Sequence, residues 1–311
     1  LELLMATIRI ALLNVRLALR TKAALFFTFL FPLVFLFVYA GIFAHGDRGA
    51  VAYLFGEVIT LQVMGSAFWG LGLQSVMARE RGILRRYRLA PIGAGSMVLS
   101  SLVANFLLLL PTVVILTAFA VKVFHMPLTF NIPGFLLLVM IGAFSFAGFG
   151  LTIASIASTM QEAQIYNQLI WITLLFLSGV TIPLPNLPGW IQQVSAYLPA
   201  TYLVSSFQSL MTHSAPLSAH TAELAALIIS GTFGLLFAWK LFRWEKEEPI
   251  PKSAKIWALV FLMPFLLIGY WMNRSGTAQK SWQASYRMMS AGPGAPPARS
   301  GSGQPQAPPG H

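Results

Sequence analysis

The chain has 311 residues, of which 57% are hydrophobic and 9% charged, and its formal net charge is +11. Soluble domains carry about 25% charged residues, so this composition excludes two soluble domains, a disordered chain and most cytosolic enzyme folds. No cysteine is present, which excludes disulfides, thiolate metal sites and cysteine nucleophiles. An all-α, multi-span membrane protein is what remains.

In chain order, residues 1–22 come first as an amphipathic segment. Ile8, Leu12, Val15 and Leu19 fall on one face, and Arg9, Arg16 and Arg20 on another. That division suits a helix lying in the membrane interface. A bilayer core of roughly 30 Å takes about 20 apolar residues in helix. Spans are expected at Ala23–Ala44, Val58–Ala78, Met97–Val121, Gly134–Ala157, Gln164–Ile182 and Ala222–Leu241. A shorter seventh, Ile256–Met272, carries Pro264 near its middle. Internal Pro and Gly are tolerated in such helices. The first apolar run is too long for a secretory signal peptide, and no cleavage site follows it. Residues 246–273 then comprise a linker and the seventh span. Residues 274–311 form a Pro/Gly/Ser-rich tail, with too few apolar anchors to offset the entropy of ordering it.

The basic residues fall on alternate loops. One side holds Arg9, Arg16, Arg20, Lys22, Arg79, Arg81, Arg85, Arg86, Arg88, Lys240, Arg243, Lys246, Lys252 and Lys255. Before the tail, the other side holds only Arg48 and Lys122. The positive-inside rule then makes the amino terminus cytoplasmic. The Ser158–Ala163 loop on the same side carries only Glu162. The excess charge is thus accounted for by topology, and no nucleic-acid partner is expected.

Two connections stand out. After the second span, Ile83, Leu84 and Tyr87 recur at helical spacing among Arg79, Arg81, Arg85, Arg86 and Arg88, with Pro91 near the end. This reads as a short amphipathic helix. It serves either as an anchor on anionic headgroups or as a dock for a cytoplasmic partner. Between the fifth and sixth spans, about forty residues are half apolar, with only histidines, His213 and His220, as charge candidates. Two short helices dipping into the outer leaflet are expected there, because irregular backbone at that depth must be covered by protein or line a cavity.

Within the spans, Gln62, Ser66 and Trp69 share a face of the second, and Asn167, Trp171, Leu174 and Ser178 form a stripe on the fifth. Polar groups facing lipid are costly, so both stripes face protein or a substrate path. Gly65, Gly70 and Gly72 beside the first stripe allow close helix packing. No two histidines sit at metal-ligand spacing, so no metal site is assigned. Glu57 stands at a span end, and no nucleophile elbow or phosphate-binding loop is present. Catalysis is not expected of this chain.

In this order and spacing the loops resemble a family. The run E-R-G-x-L-R-x-x-R-L-x-P occupies Glu80–Pro91, and L-S-G-x-x-x-P closes the fifth span at Leu177–Pro183. L-P-G-W at Leu187–Trp190 and L-P-x-x-Y at Leu198–Tyr202 follow. Together they look like the permease subunit of an ABC transporter of the type 2 exporter class, over roughly residues 5–245. The resemblance implies a six-span permease domain over residues 23–245, a second permease copy, and an ABC ATPase partner that holds ATP and magnesium. It implies that Arg79, Glu80, Arg81, Gly82, Leu84, Arg85, Arg86, Arg88 and Pro91 belong to the coupling helix seated on that ATPase. Pro183, Pro188, Trp190, Pro199 and Tyr202 would mark re-entrant helices at an external gate. The path would lie between protomers, with Gln62, Ser66, Trp69, Asn167, Trp171 and Ser178 as candidates to line it. The expected function is export of a drug, lipid or polysaccharide across the bacterial cytoplasmic (inner) membrane. The alternative is a non-transporting membrane module that docks an ATPase. The seventh span and tail depart from the six-span pattern.

Overall fold

The computed structural model describes residues 2–20, 22–44, 47–87, 93–212, 216–245, 248, 254–276, 282–283 and 286–287. All regular structure among them is helical. Helix α1 (Glu2–Arg20) is followed by α2 (Lys22–Leu25), a π-helical stretch (Phe26–Leu30) and α3 (Phe31–Phe43). Next, α4 (Arg48–Gly65), a second π-helical stretch (Ser66–Gly72) and α5 (Leu73–Glu80) run as one helix into the short α6 (Ile83–Tyr87). Then come α7 (Ala94–Phe124), α8 (Ile132–Ile156) and α9 (Met160–Leu177). A hairpin of two short helices, α10 (Gly189–Ser195) and α11 (Pro199–Thr212), precedes α12 (Thr221–Lys240) and α13 (Ala254–Ser275).

Among the described residues, four helices are long and apolar enough to cross a membrane: Arg48–Glu80, Ala94–Phe124, Ile132–Ile156 and Leu217–Lys240. Thr28–Ile42 is apolar but shorter. The expected fifth span, α9, is less apolar because Gln161, Glu162, Gln164, Asn167 and Gln168 crowd its first half.

Two boundaries differ from expectation. The second long helix starts at Arg48, because Asp47 caps it by accepting the Gly49 N–H at 2.8 Å. Glu57 therefore lies inside the helix and is fully buried, not at a span end. The expected Ser158–Ala163 loop is mostly the first turn of α9. The Thr159 hydroxyl accepts the Glu162 N–H at 3.2 Å, and the Glu162 carboxylate accepts the Ser158 N–H at 2.7 Å. This is a form of the Thr-x-x-Glu capping arrangement.

Helix α8 occupies the centre, with α12 on one side and the second π-helical stretch on the other. Both contacts are built on small residues. Gly148 faces Gly231 and Gly234, and a Cβ on Gly234 would lie 2.6 Å from the Gly148 Cα. Gly150 faces Ala67 and Gly72, and a Cβ on Gly72 would lie 2.8 Å from the Gly150 carbonyl oxygen. Lipid tails are as apolar as leucine, so such helices associate through close packing rather than burial of apolar surface.

The bundle has two ends. Glu80, the α8–α9 turn and Lys240 define a basic end, and the α10–α11 hairpin defines the other. Helix α13 runs between them. Phe261 packs on Phe149 of α8 at 4.4 Å between ring centroids, and Asn273 donates to the Gln193 carbonyl of α10 at 2.8 Å. Ordered contacts continue past residue 274, where the tail was expected to begin. Trp282 is buried, and the Asn186 amide donates to the Tyr286 hydroxyl at 3.2 Å. Residues 288–311 of the expected tail lie outside the described residues.

Gly150→Ala presses a methyl group against the Ala67 carbonyl and is expected to cost about 1–3 kcal/mol. Gly41→Ala, in helix α3 with nothing within 4 Å of its Cβ, leaves stability unchanged or raises it by up to about 1 kcal/mol. Thermal unfolding in detergent checks the pair; a Gly150→Ala midpoint equal to wild type contradicts the packing account.

Candidate functional site

At the basic end, the chain leaves α5 through Arg81 and Gly82, the latter at φ +68°, and re-forms as α6. A left-handed turn at this point suits glycine, which has no Cβ to clash. Leu84 is buried among Ile10 of α1, Met97 of α7 and the part-buried Phe242 and Trp244. Arg81, Arg85 and Arg86 are exposed. Arg85 lies 3.7 Å from Glu245, a surface pair that contributes at most about 1 kcal/mol. Arg88 and Pro91 lie outside the described residues.

Arg79 behaves differently from these neighbours. It is 5% exposed, and it donates to the Ala154 carbonyl at 2.9 Å and to the Ala157 carbonyl. Arg243, just past α12 and 4% exposed, donates to the same Ala157 carbonyl at 2.7 Å. It also donates to the Ser158 hydroxyl at 3.4 Å and the Glu248 carbonyl at 3.2 Å. The last carbonyls of a helix lack intrahelical partners and carry the negative end of its dipole. Two guanidiniums supply what the end of α8 lacks. Burial pulls the Arg243 guanidinium below its ordinary value, and Glu248 and Glu162 push it back up. Glu80 completes the arrangement by accepting the Met160 N–H, at the start of α9, at 3.0 Å.

The two polar stripes meet each other. Asn167 is fully buried and donates to the Phe68 carbonyl at 2.9 Å. That carbonyl also accepts the Leu73 N–H in the π-helical stretch. Trp69 and Trp171 are 6.5 Å apart between ring centroids at 68°, and Phe68 meets Trp171 edge-on at 6.3 Å. Ser66 bonds the Val63 carbonyl of its own helix, and Ser178, buried, bonds the Leu174 carbonyl of its own. Gln62 is half-buried. Within this chain these side chains join the Arg48–Glu80 helix to α9. The face that α9 leaves exposed carries Gln161, Gln164 and Gln168 with Ile165, Leu169, Ile172 and Phe176. The stripe reading missed these glutamines, although their i, i+3, i+7 spacing was visible in the sequence.

At the opposite end, Pro183 and Pro188 precede a 3-10 turn and α10, and Pro199 begins α11. Trp190 is 64% exposed. Tyr202 is buried, and its hydroxyl donates to the Ala196 carbonyl at 2.6 Å. Helix α11 is buried along most of its length against α4. There the Gln208 amide donates to Glu57 at 3.1 Å. The Tyr39 hydroxyl of α3 donates to the Thr181 carbonyl at 2.7 Å. The hairpin is thus a packed element of the bundle.

Residues 7–212 match the family model of the ABC-2 type transporter, a stretch that begins in α1 and ends with α11. The chain belongs to the ABC-2 type transporter family. Among curated relatives, "Probable multidrug ABC transporter permease YbhR" of Escherichia coli (strain K12) is 25% identical over 166 residues, 53% of this chain and 45% of that protein. "Inner membrane transport permease YhhJ" of the same strain is 24% identical over 176 residues, 56% of this chain and 46% of that protein. "ABC transporter G family member 20" of Dictyostelium discoideum is 26% identical over 179 residues, 57% of this chain and 24% of that protein. The chain spans about half or less of the length of the curated relatives it matches. No solved structure matches it. Membership establishes a multi-pass ABC-2 permease, and the matched stretch takes in both the 79–87 segment and the α10–α11 hairpin.

Within this ABC-2 chain the Asn167 bond should be measurable. Asn167→Ala is expected to cost about 1 kcal/mol of stability. Asn167→Asp, which sets an acceptor against the Phe68 carbonyl, costs more. Unfolding midpoints in detergent give the order, and equal midpoints for the two variants remove the hydrogen bond from the account.

Proposed function

We propose that this chain is the membrane-spanning subunit of an ATP-driven exporter, with ATP hydrolysed on a separate ABC ATPase. The observation that carries this reading is the 79–87 segment. It presents Arg81, Arg85 and Arg86 outward from the end of a long helix, while Leu84 roots it in the bundle. A rooted, basic, outward-facing helix suits a coupling contact better than a headgroup anchor, which needs no buried attachment. On this reading the amino terminus is cytoplasmic, which is supported by Arg20, Lys22, the 79–87 segment and Lys240 lying towards one end. Helix α1 supports the same placement: Ile8, Leu12 and Leu19 are exposed as an interfacial helix requires, while Ile10 packs inward. Helix α13 is read as a seventh crossing that begins at the cytoplasmic end.

The exposed face of α9 supports a second copy. Three glutamines facing lipid would be costly, whereas between two protomers they meet protein or a water-filled path. That face replaces Asn167 and Ser178 as the path lining, and the hairpin with Trp190 and Tyr202 closes the far end. Transport then requires that ATP on the partner and substrate on this chain favour different states. The substrate class is a drug, lipid or polysaccharide, with the name of the YbhR relative favouring the first. The cell membrane concerned is the bacterial cytoplasmic membrane.

Arg81→Glu combined with Arg86→Glu is expected to cut recovery of the co-purifying ATPase about tenfold, a coupling of roughly 1.4 kcal/mol. Expression and thermal stability stay at wild-type level. Full recovery of an active, transporting complex from the double variant contradicts the coupling assignment. If no ATPase accompanies the wild-type chain, the subunit reading fails altogether.

A further inference from the structure

The strongest feature outside the surfaces already assigned is the convergence of three side chains on the α8–α9 turn. Arg79 and Arg243 share the Ala157 carbonyl, and Arg79 also holds the Ala154 carbonyl. One residue further on from Arg79, Glu80 holds the first N–H of α9. These bonds come from sequence positions far apart, yet they all end within the seven residues from Ala154 to Met160. Each matches a terminus to the charge it favours: cations at the carbonyl end of α8, an anion at the N–H end of α9. Both guanidiniums are almost wholly buried, so breaking either contact leaves a buried charge without its partners, which is expensive. A turn held this way cannot slide independently of α5.

We infer that Arg79, Arg243 and Glu80 are positioning residues that make α5, the α8–α9 turn and the segment after α12 one rigid lever. The lever carries displacement of the coupling helix to α9. It rests on the coupling reading above and adds the route by which that coupling travels. Arg79 and Glu80 then serve inside this subunit rather than at the ATPase surface, which belongs to Arg81 and Arg86. The route is physical and short: α6 is two residues from Glu80, Glu80 touches Met160, and α9 continues from there to its glutamine face. A displacement of 1–2 Å, about the size of helix shifts at switching interfaces, is enough to pass along it.

Hydrogen exchange on the complex with its ATPase, nucleotide-free and trapped with ATP and vanadate, tests this. In wild type, trapping should change exchange both at α6 and in the first two turns of α9. In Arg79→Met and Arg243→Met the α6 response persists, while the α9 response falls about tenfold, within the range of allosteric couplings. Arg79→Lys, which keeps a donor, recovers part of it. A merely structural loss would blunt both responses together. Should Arg79→Met fail to fold, the absence of native cysteines allows Glu80→Cys with Met160→Cys, joined by a short bis-methanethiosulfonate reagent. The unjoined pair should lose the α9 response and the joined pair regain it. A full α9 response in Arg79→Met, or a joined pair that abolishes it, overturns the lever. Absence of any α6 response in wild type overturns the coupling reading and the lever with it.

Discussion

The close approach of α8 to its two neighbours is the constraint on which the rest depends. In a bilayer, helices gain little from burying apolar side chains against one another, so contact must come from fit. Gly148 and Gly150 stand two residues apart on α8 and face opposite partners, α12 and the π-helical stretch. Around that contact the aromatic rings of Phe68, Phe146 and Phe149 interlock. Phe149 in turn receives Phe261 and Phe265 of α13. A side chain at these glycines would push α8 away from the helices that carry both ends of the molecule.

The same helix decides what the basic end can do. Because α8 sits centrally, its carboxyl terminus emerges between α5 and the end of α12, within reach of one arginine from each. Those two arginines are buried, whereas the next three described arginines of the 79–87 segment are exposed. One short run of charge therefore splits into an internal set that fixes geometry and an external set available to a partner. At the other end a different chemistry holds the hairpin. Tyrosine and amide hydrogen bonds tie Tyr39 of α3 to the Thr181 carbonyl after α9, Tyr202 of α11 to the end of α10, and Gln208 of α11 to the buried Glu57 of α4. Such bonds are shorter in reach and free of net positive charge, as suits a surface away from the basic end.

Much of this was legible in the sequence. Composition pointed to the membrane class, and apolar run length located most helices to within a few residues. Alternation of charge between loops separated the two ends. The Pro-rich loop correctly announced two short helices, and motif order pointed to the ABC-2 family. Misplaced features share one physical cause: local pattern reports a residue's type and phase, not its neighbour. Glu57 looked peripheral because the apolar count began at Val58, yet Asp47 caps the helix ten residues earlier. Thr159 and Glu162 carried a capping signal that hydropathy cannot register. For Asn167 the sequence left packing and path lining open, and the π-helical widening at Ser66–Gly72 presents the Phe68 carbonyl to it.

By itself, the sequence determined class, family and the sorting of charge, because these depend on composition and on spacing along one chain. Tertiary structure alone decided which arginines are buried and which are exposed, and which polar stripe packs and which is left open. It also brought Arg79 and Arg243, 164 positions apart, to one carbonyl. Pairings of that kind depend on how helices cross, and helix crossing is set by fit between faces rather than by order along the chain.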